Sequence, residues 1–307
     1  MGLYQKHRPS SLDTVVGNND TVEALEKLLG KKDIPHAFLL CGPTGCGKTT
    51  IARILSERVG AAMGDITEVD SADFRGIDTI RDLRKQASFV PLHGDSRVFI
   101  LDECHQLSKD AQNALLKQLE DTPSHVYFIL CTTEPHKLLP TIRSRCSTHD
   151  VNPLSETEMV KLLKRIIKSE NRGKEKKKVV DDKVLEAIAE SSLGHPRGAI
   201  NILEKVLVVS KDKQMKVAKQ AAEEQTQSIE LAKALLRRAT WKEVSFILKG
   251  LKDEDPERIR RHILGYCNAV LLNGSNDIAA AIMEEMIEPF YNSGMPGLVF
   301  ACYAISK

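Results

Sequence analysis

Gly42-Pro43-Thr44-Gly45-Cys46-Gly47-Lys48-Thr49 decides the fold of this 307-residue chain. The stretch satisfies every required position of a phosphate-binding glycine loop. An apolar run, Ala37-Phe38-Leu39-Leu40-Cys41, lies directly before it, and Thr50-Ile51-Ala52-Arg53-Ile54-Leu55 follows with helical spacing. A strand, a tight turn and a helix are the context such a loop needs; a chance glycine turn would lack these flanks. Gly42, Gly45 and Gly47 free the backbone to turn its N–H groups inward around phosphate oxygens. The helix N-terminus adds partial positive charge. Lys48 can reach the β- and γ-phosphates and the Thr49 hydroxyl can ligate Mg2+. Pro43, Thr44, Cys46 and Thr50 complete the candidate ATP cradle.

A second segment, Arg97-Val98-Phe99-Ile100-Leu101-Asp102-Glu103, is an apolar run that ends in two carboxylates. Parallel strands buried on both faces read this way. The acids fall at a strand's C-terminal end, where open α/β sheets bind ligands. Asp102 is placed to hold Mg2+, and Glu103 to polarise a water attacking a γ-phosphate. Two solvated acids after a core strand would read the same way in isolation; beside the glycine loop that is the lesser reading.

Length suggests two or three domains. Apolar residues make up 42% and charged residues 28%, a globular composition. Lys and Arg total 44 against 42 acidic residues, a net charge of +2, so any nucleic-acid binding must come from a local basic surface. The seven cysteines include no C-x-x-C pair. Free thiols in a reducing compartment are expected, with neither a disulfide framework nor a zinc ribbon. No apolar stretch is long enough to span a bilayer and no signal-peptide core is seen, which points to a cytoplasmic protein.

Residues 1–152 alternate strand-like and helix-like patterns, as a parallel sheet with covering helices would. The strands expected are Ala37–Cys41, Ile66–Asp70, Val98–Asp102, Tyr127–Thr132 and Thr148–Val151. The helices expected are Asp20–Leu29, Thr49–Val59, Gly76–Ala87 and Lys109–Glu120, the last packing through Ala111, Ala114, Leu115 and Leu119. Residues 153–210 read as a small helical domain opened by a capping box of Ser155 and Glu158. Its charged stretch, Lys168 to Lys178, reads as a solvated loop. Residues 225–307 read as a second helical domain with runs Ile229–Arg238 and Trp241–Leu251. Gly294-Met295-Pro296-Gly297 reads as a break before a final apolar helix, Leu298–Ser306. That helix is either buried within the chain or a subunit interface.

Further segments make a pattern. They are Tyr4-Gln5-Lys6-His7-Arg8-Pro9 with Val15-Val16, the run Phe74-Arg75-Gly76-Ile77-Asp78, and Gln112-Asn113-Ala114-Leu115-Leu116-Lys117. Thr132-Thr133-Glu134, Ser144-Arg145-Cys146 and Gly194-His195-Pro196-Arg197 follow. Together these resemble the AAA+ subunits of sliding-clamp loaders, such as the small subunits of replication factor C and the gamma/tau and delta-prime subunits of DNA polymerase III. The resemblance carries motifs from residue 4 to about 208. One departure is the missing zinc-binding cysteine module that bacterial gamma/tau subunits carry between glycine loop and acidic strand. A phage or archaeal-type loader would suit this mixture.

The resemblance implies roles. Tyr4, Arg8, Pro9, Val15 and Val16 match the segment around the adenine, although an N-terminal arm docked on the core would use the same residues. Thr133 matches a sensor of the γ-phosphate, and Arg197 a second sensor on the helical lid. Arg145 matches a finger that completes a neighbouring subunit's site, with a guanidinium suited to phosphoryl oxygens. Arg75, Gly76, Ile77, Arg81, Arg84 and Ser108 lie at helix starts suited to DNA phosphates. A solvated face held by pairs of Arg81 with nearby acids is the alternative. The implied partners are other subunits, in a homo- or hetero-oligomer of about five as the family forms, together with a ring-shaped clamp and primer–template DNA. The implied place of action is the cytoplasm, or that of a host, at the nucleoid during replication. The expected function is that of an ATPase subunit loading clamps on DNA. A branch-migration motor and a non-hydrolysing structural subunit are the rivals.

Overall fold

The computed structural model describes residues 2–306 except Ala72, 174–177, Asp253, Asn273 and 291–292; the side chains of 220–226, Ala269 and Leu272 also lie outside the description. The chain divides into two compact units, residues 1–208 and 209–307.

The first unit holds a five-stranded parallel sheet. Its strands are β1 (Ala37–Cys41), β2 (Ile66–Asp70), β3 (Arg97–Asp102), β4 (Val126–Thr132) and β5 (Ser147–Asp150). Their order is β2-β3-β4-β1-β5, so β4 separates the strand feeding the glycine loop from the acidic strand. Cys41 pairs with Thr132 and Asp150, and Asp70 with Asp102, which brings the strands' C-terminal ends to one edge.

All five residues of β1 are buried because successive side chains enter opposite cores. Phe38 and Leu40 join Ile51, Leu55, Ile100 and Ile129 on one face. Leu39 and Cys41 join Ile80, Leu83, Phe99, Leu115 and Phe128 on the other. Phe99 and Phe128 stack across β3 and β4 at 5.4 Å between centroids, a contact worth about 0.5–1.5 kcal/mol beyond area burial.

The helices of this unit are α1 (Leu3–Lys6), α2 (Asn19–Leu29), α3 (Lys48–Arg58), α4 (Ile77–Ala87), α5 (Lys109–Glu120), α6 (Pro140–Arg143), α7 (Glu156–Glu170), α8 (Asp182–Ser191) and α9 (Pro196–Val206). Element bounds in the sheet region fall within a residue of those read from sequence. Gly76 is the N-cap of α4 and not its first turn. In α5, Ala111 and Leu115 are fully buried, and Ala114 and Leu119 pack partly buried beside them. The capping box at α7 forms: Glu158 N donates to Ser155 Oγ at 3.3 Å and Ser155 N to Glu158 Oε2 at 2.9 Å. The expected charged loop is shorter than read, since Lys168–Glu170 complete α7; Lys174 and Lys176 lie outside the described residues.

The second unit is helical: α10 (Lys211–Leu236), α11 (Trp241–Gly250), α12 (Pro256–Leu272), α13 (Asp277–Glu285) and α14 (Gly294–Ile305). Two expectations are corrected here. The run expected from Ile229 is the end of a 26-residue helix that begins at Lys211. Gly294–Gly297 does not interrupt structure but forms the first turn of α14. Proline is tolerated in a first turn because its missing N–H would be unpaired there anyway. Leu298, Ala301 and Cys302 are buried within the unit, while Phe300 is 71% exposed.

Gly42 has a testable role. It stands at φ +151°, and a Cβ there would meet the Val151 carbonyl oxygen at 2.0 Å. Backbone cannot retreat as a side chain can. Gly42→Ala is expected to destabilise by about 2–4 kcal/mol from strain and overpacking. Thermal unfolding would show this as a fall in Tm of roughly 5–15 °C.

Candidate active site

A cleft opens at the C-terminal edge of the sheet, where open α/β sheets bind ligands. Thr44 to Thr50 form its floor, Asp102 and Glu103 one wall, and Tyr4, Arg8, Pro9, Val15 and Val16 another. Pro196, Arg197 and Ile200 of α9 close the far side. Gly42 and Pro43 do not line the cleft. Their carbonyls accept hydrogen bonds from Lys48 Nζ at 2.7 and 3.1 Å. Lys48 is only 5% exposed, a buried cation with no carboxylate among its recorded partners. A buried charge of this kind is costly without a counter-charge, and an anionic ligand would supply one.

The loop glycines behave as their spacing requires. Gly45 and Gly47 sit at φ +82° and +111°, and Gly47 is the N-cap of α3. The N–H groups of the first turn of α3 therefore face the cleft floor. At the wall, Thr49 Oγ1 donates to Asp102 Oδ2 at 2.7 Å. Two hard oxygens so placed suit Mg2+ and not a soft metal; residues 49 and 102 would hold it. Among the described residues no group of three or more His, Cys, Asp or Glu is arranged to hold a metal ion.

Glu103 stands in left-handed backbone, φ 47° and ψ 42°. A residue with a Cβ pays of order 1–3 kcal/mol for this, and such strain concentrates at functional sites. Its N–H donates to Asp102 Oδ1 at 3.0 Å, and its Oε2 accepts from Thr133 Oγ1 at 3.0 Å. Thr133 is thus joined to Glu103 although it does not itself line the cleft.

The N-terminal arm is pinned to the helices that follow the sheet. Leu3 N donates to Glu204 Oε1 at 3.2 Å. Lys6 Nζ and His7 Nε2 reach Glu170 Oε1 at 2.5 and 2.9 Å. The Arg197 guanidinium lies 5.8 Å from the Tyr4 ring centroid, a cation–π contact. The arm docks on α7 and α9 and lines the cleft at once, so the two sequence readings of it are compatible.

Arg145 is not in this cleft. Its Nη2 pairs with Glu120 Oε1 at 2.6 Å and its Nη1 donates to the Thr141 carbonyl at 3.0 Å. Arg81 pairs with Asp78 at 2.9 Å on an exposed face, which is the solvated pairing weighed from sequence. Arg81 and Arg84 nevertheless line a groove between α4 and α5 together with Ile77 and Lys117. Arg75 and Gly76 are exposed just before α4. Ser108 Oγ is used as the cap of α5, accepting from Ala111 N at 3.2 Å, and Ser108 N donates to the Arg75 carbonyl at 3.0 Å. The two helix starts are therefore fastened together.

Several residues escaped the sequence reading. His195 Nδ1 lies 3.4 Å from Cys46 Sγ, joining the start of α9 to the glycine loop. Burial, then the nearby Lys48 charge, holds His195 below the ordinary histidine range. Burial pushes the Cys46 thiol up to about 11, so it is a packing group and not a nucleophile. His7 and Arg165 also line the cleft. Cys46, His7 and His195 fall inside motifs read from sequence, but their contacts depend on distant partners that no local pattern marks. The turn after α4 exposes Phe89, Val90 and Leu92, three apolar side chains outside any core.

A parallel sheet with an added strand between glycine-loop and acidic strands, and a helical subdomain over the cleft, defines an AAA+ ATPase fold. Solved structures agree. RuvB of Thermotoga maritima, a Holliday junction branch migration motor, is similar with a TM-score of 0.59 and 22% identity, over 75% of this chain and 79% of that one. At that identity the likeness is one of fold alone. The family described as DNA polymerase III, delta subunit, matches residues 61–155. DNA polymerase III subunit gamma/tau of Mycobacterium tuberculosis is 37% identical over 69% of this chain and 40% of its own length. Subunit tau of Bacillus subtilis is 35% identical over 68% and 40%. Subunit tau of Escherichia coli is 31% identical over 67% and 34%. The chain belongs to the clamp-loader family of AAA+ ATPase subunits. It spans about 40% of the length of the mycobacterial and Bacillus relatives.

Proposed function

We propose that this chain is an ATP-hydrolysing subunit of a DNA sliding-clamp loader. The observation that carries the reading is one cleft that joins Lys48, the Thr49–Asp102 pair and the Glu103–Thr133 pair, in a chain of this family. Lys48 and the loop N–H groups neutralise phosphate charge. Thr49 and Asp102 would hold Mg2+, which would supply positive charge beside the phosphate oxygens. Glu103 accepts a proton from the attacking water, and Thr133 orients that carboxylate. Tyr4, Arg8 and Pro9, with Val15 and Val16, offer a slot for the base, and Arg197 links phosphate binding to α9.

The rest of the reading concerns assembly. Residues 153–210 act as a lid and 225–307 as a collar that holds subunits in an arc of about five. ATP binding closes the arc, opens a ring-shaped clamp and makes room for primer–template DNA. Hydrolysis releases the closed clamp on DNA. The exposed apolar turn at Phe89, Val90 and Leu92 suits a protein partner. No helix among the described residues is long and apolar enough to cross a membrane. The test is ATPase activity of the purified chain with and without primed DNA, clamp and co-purifying subunits, with native mass giving the stoichiometry. Turnover that rises with clamp and DNA supports the reading. DNA translocation with steady turnover and no clamp dependence would favour a motor.

The DNA surface has its own test. Neutralising Arg75 or Arg81 is expected to weaken primed-DNA binding about equally across sequences, because phosphate contacts carry charge and not sequence. Each lost contact should flatten the log–log salt slope by about 0.9. ATP binding without DNA should survive, since neither residue lines the cleft. Lys174→Ala and Lys176→Ala serve as controls. If they flatten the slope and the arginine variants do not, DNA binds elsewhere.

A further inference from the structure

His105 is a buried histidine with chemistry on both sides. It follows the Asp102-Glu103 pair by two residues and its side chain is 4% exposed. Its Nδ1 lies 3.0 Å from Thr132 Oγ1 and 3.4 Å from Glu103 Oε2. Its Nε2 lies 3.0 Å from Gln106 Nε2 and 3.4 Å from Glu134 Oε1. Thr132 Oγ1 also accepts from Glu134 N at 3.0 Å. The ring thus spans the gap between the end of β3 and the end of β4.

The partners fix the tautomer. Gln106 Nε2, at 3.0 Å, can only donate and is nearer than Glu134 Oε1 at 3.4 Å, which assigns ring Nε2 as the acceptor. The single ring proton then sits on Nδ1, directed at the Thr132 hydroxyl at 3.0 Å, with the Glu103 carboxylate 3.4 Å from the same nitrogen. Burial holds the group below the ordinary histidine range, against the pull of Glu103 and Glu134. Neutrality and tautomer therefore agree. Glu103 stands in left-handed backbone, and its Oε2 has the Thr133 hydroxyl at 3.0 Å and the His105 ring at 3.4 Å.

We propose that His105 is a positioning residue for Glu103. Its neutral imidazole holds the carboxylate in the orientation that receives a proton from water, and ties that orientation to the β4 end where Thr133 lies. The proposal rests on the reading of Glu103 as the base. A core histidine that only fills space would need no defined tautomer and no carboxylate beside the donor nitrogen.

Protonation would undo the arrangement. A second proton on Nε2 would face the Gln106 donor and place a cation between Glu103 and Glu134. The other charges that reach the ring are Lys137 and Lys48, which oppose that proton, and His136 stands beyond Glu134 at 3.6 Å. A cationic ring would bind the Glu103 carboxylate as an ion pair and compete with the proton it must accept. Hydrolysis should therefore lose rate on the acid side as His105 charges.

The experiment is single-turnover ATP hydrolysis with Mg2+ by the purified chain and by His105→Ala, His105→Gln and His105→Asn, with ATP binding measured separately. His105→Ala should lower the rate constant about 10- to 100-fold, as small misplacements do, while ATP affinity stays near the original value. His105→Asn, whose amide can donate from near the Nδ1 position, should recover part of the rate. Between about pH 5 and 8, where histidine changes charge, His105→Gln should lack the acid-side loss of the original chain. In a Glu103→Gln background, His105→Ala should add no further loss. An unchanged rate in all three variants overturns the proposal. So does a loss of ATP binding or of the folded state that parallels the loss of rate in all three, which makes His105 structural. If Glu103→Gln itself turns over normally, the reading of the base fails, and that outcome is separate from any result at His105.

Discussion

Glu103→Gln is expected to bind ATP with Mg2+ and fail to hydrolyse it, with turnover down about 10²- to 10⁴-fold. Gln keeps the shape of the side chain and the contact with Thr133 Oγ1 at the end of β4. It removes only the ability to take a proton from water. Lys48→Ala should give the opposite pattern. Lys48 is the buried cation of the cleft floor, its ammonium on the Gly42 and Pro43 carbonyls. Truncating one side of a buried charge pair costs about 2–5 kcal/mol, so ATP binding should weaken by about 30-fold or more. Nucleotide titration and steady-state hydrolysis separate the two. Robust turnover by Glu103→Gln would sink the assignment of the base.

Arg145→Ala should leave the ATP affinity of a subunit largely intact and lower assembly-dependent hydrolysis by about 10³-fold or more. The geometry motivates this: Arg145 lies outside its own chain's cleft, held on Glu120 and the Thr141 carbonyl. If a guanidinium so placed contacts nucleotide, the expected nucleotide is a neighbouring chain's. Mixing Arg145→Ala with Lys48→Ala chains tests the arrangement. Each site would combine Lys48 of one chain with Arg145 of the next, so a mixed assembly should recover some sites. No recovery despite proven co-assembly would mean that Arg145 acts within its own chain or not at all.

Much of the first unit was legible because its signals are local. A strand buried on both faces must be apolar through its buried stretch, as β1, Val98–Leu101 of β3 and Phe128–Cys131 of β4 are. The glycine loop needs three positive-φ residues within six positions, and only glycine supplies them cheaply. The helical part was less legible. Residues 211–228 carry no strong apolar stripe, so α10 looked shorter than its 26 residues. Gly294 and Pro296 looked like breakers, yet Pro296 falls in a first turn, where its missing N–H costs no helix bond.

The sequence by itself determined the sheet, the glycine loop and the acidic strand end, and through its scattered motifs the family. Each strand, the glycine loop and the acidic strand end are dictated over a dozen residues or fewer, by burial or by backbone conformation. Only the tertiary structure decided which side chains work together. Glu103 meets Thr133 across 30 residues and Cys46 meets His195 across 149. Arg197 reaches Tyr4 from the far end of the unit. The same holds for Arg145, whose pairing with Glu120 takes it away from its own cleft. No periodicity records such pairings, because they depend on how α1, α7 and α9 pack around the end of the sheet. Hydrogen bonds and ion pairs act over a few ångströms, and the chain brings those atoms together only after the core has set the distances.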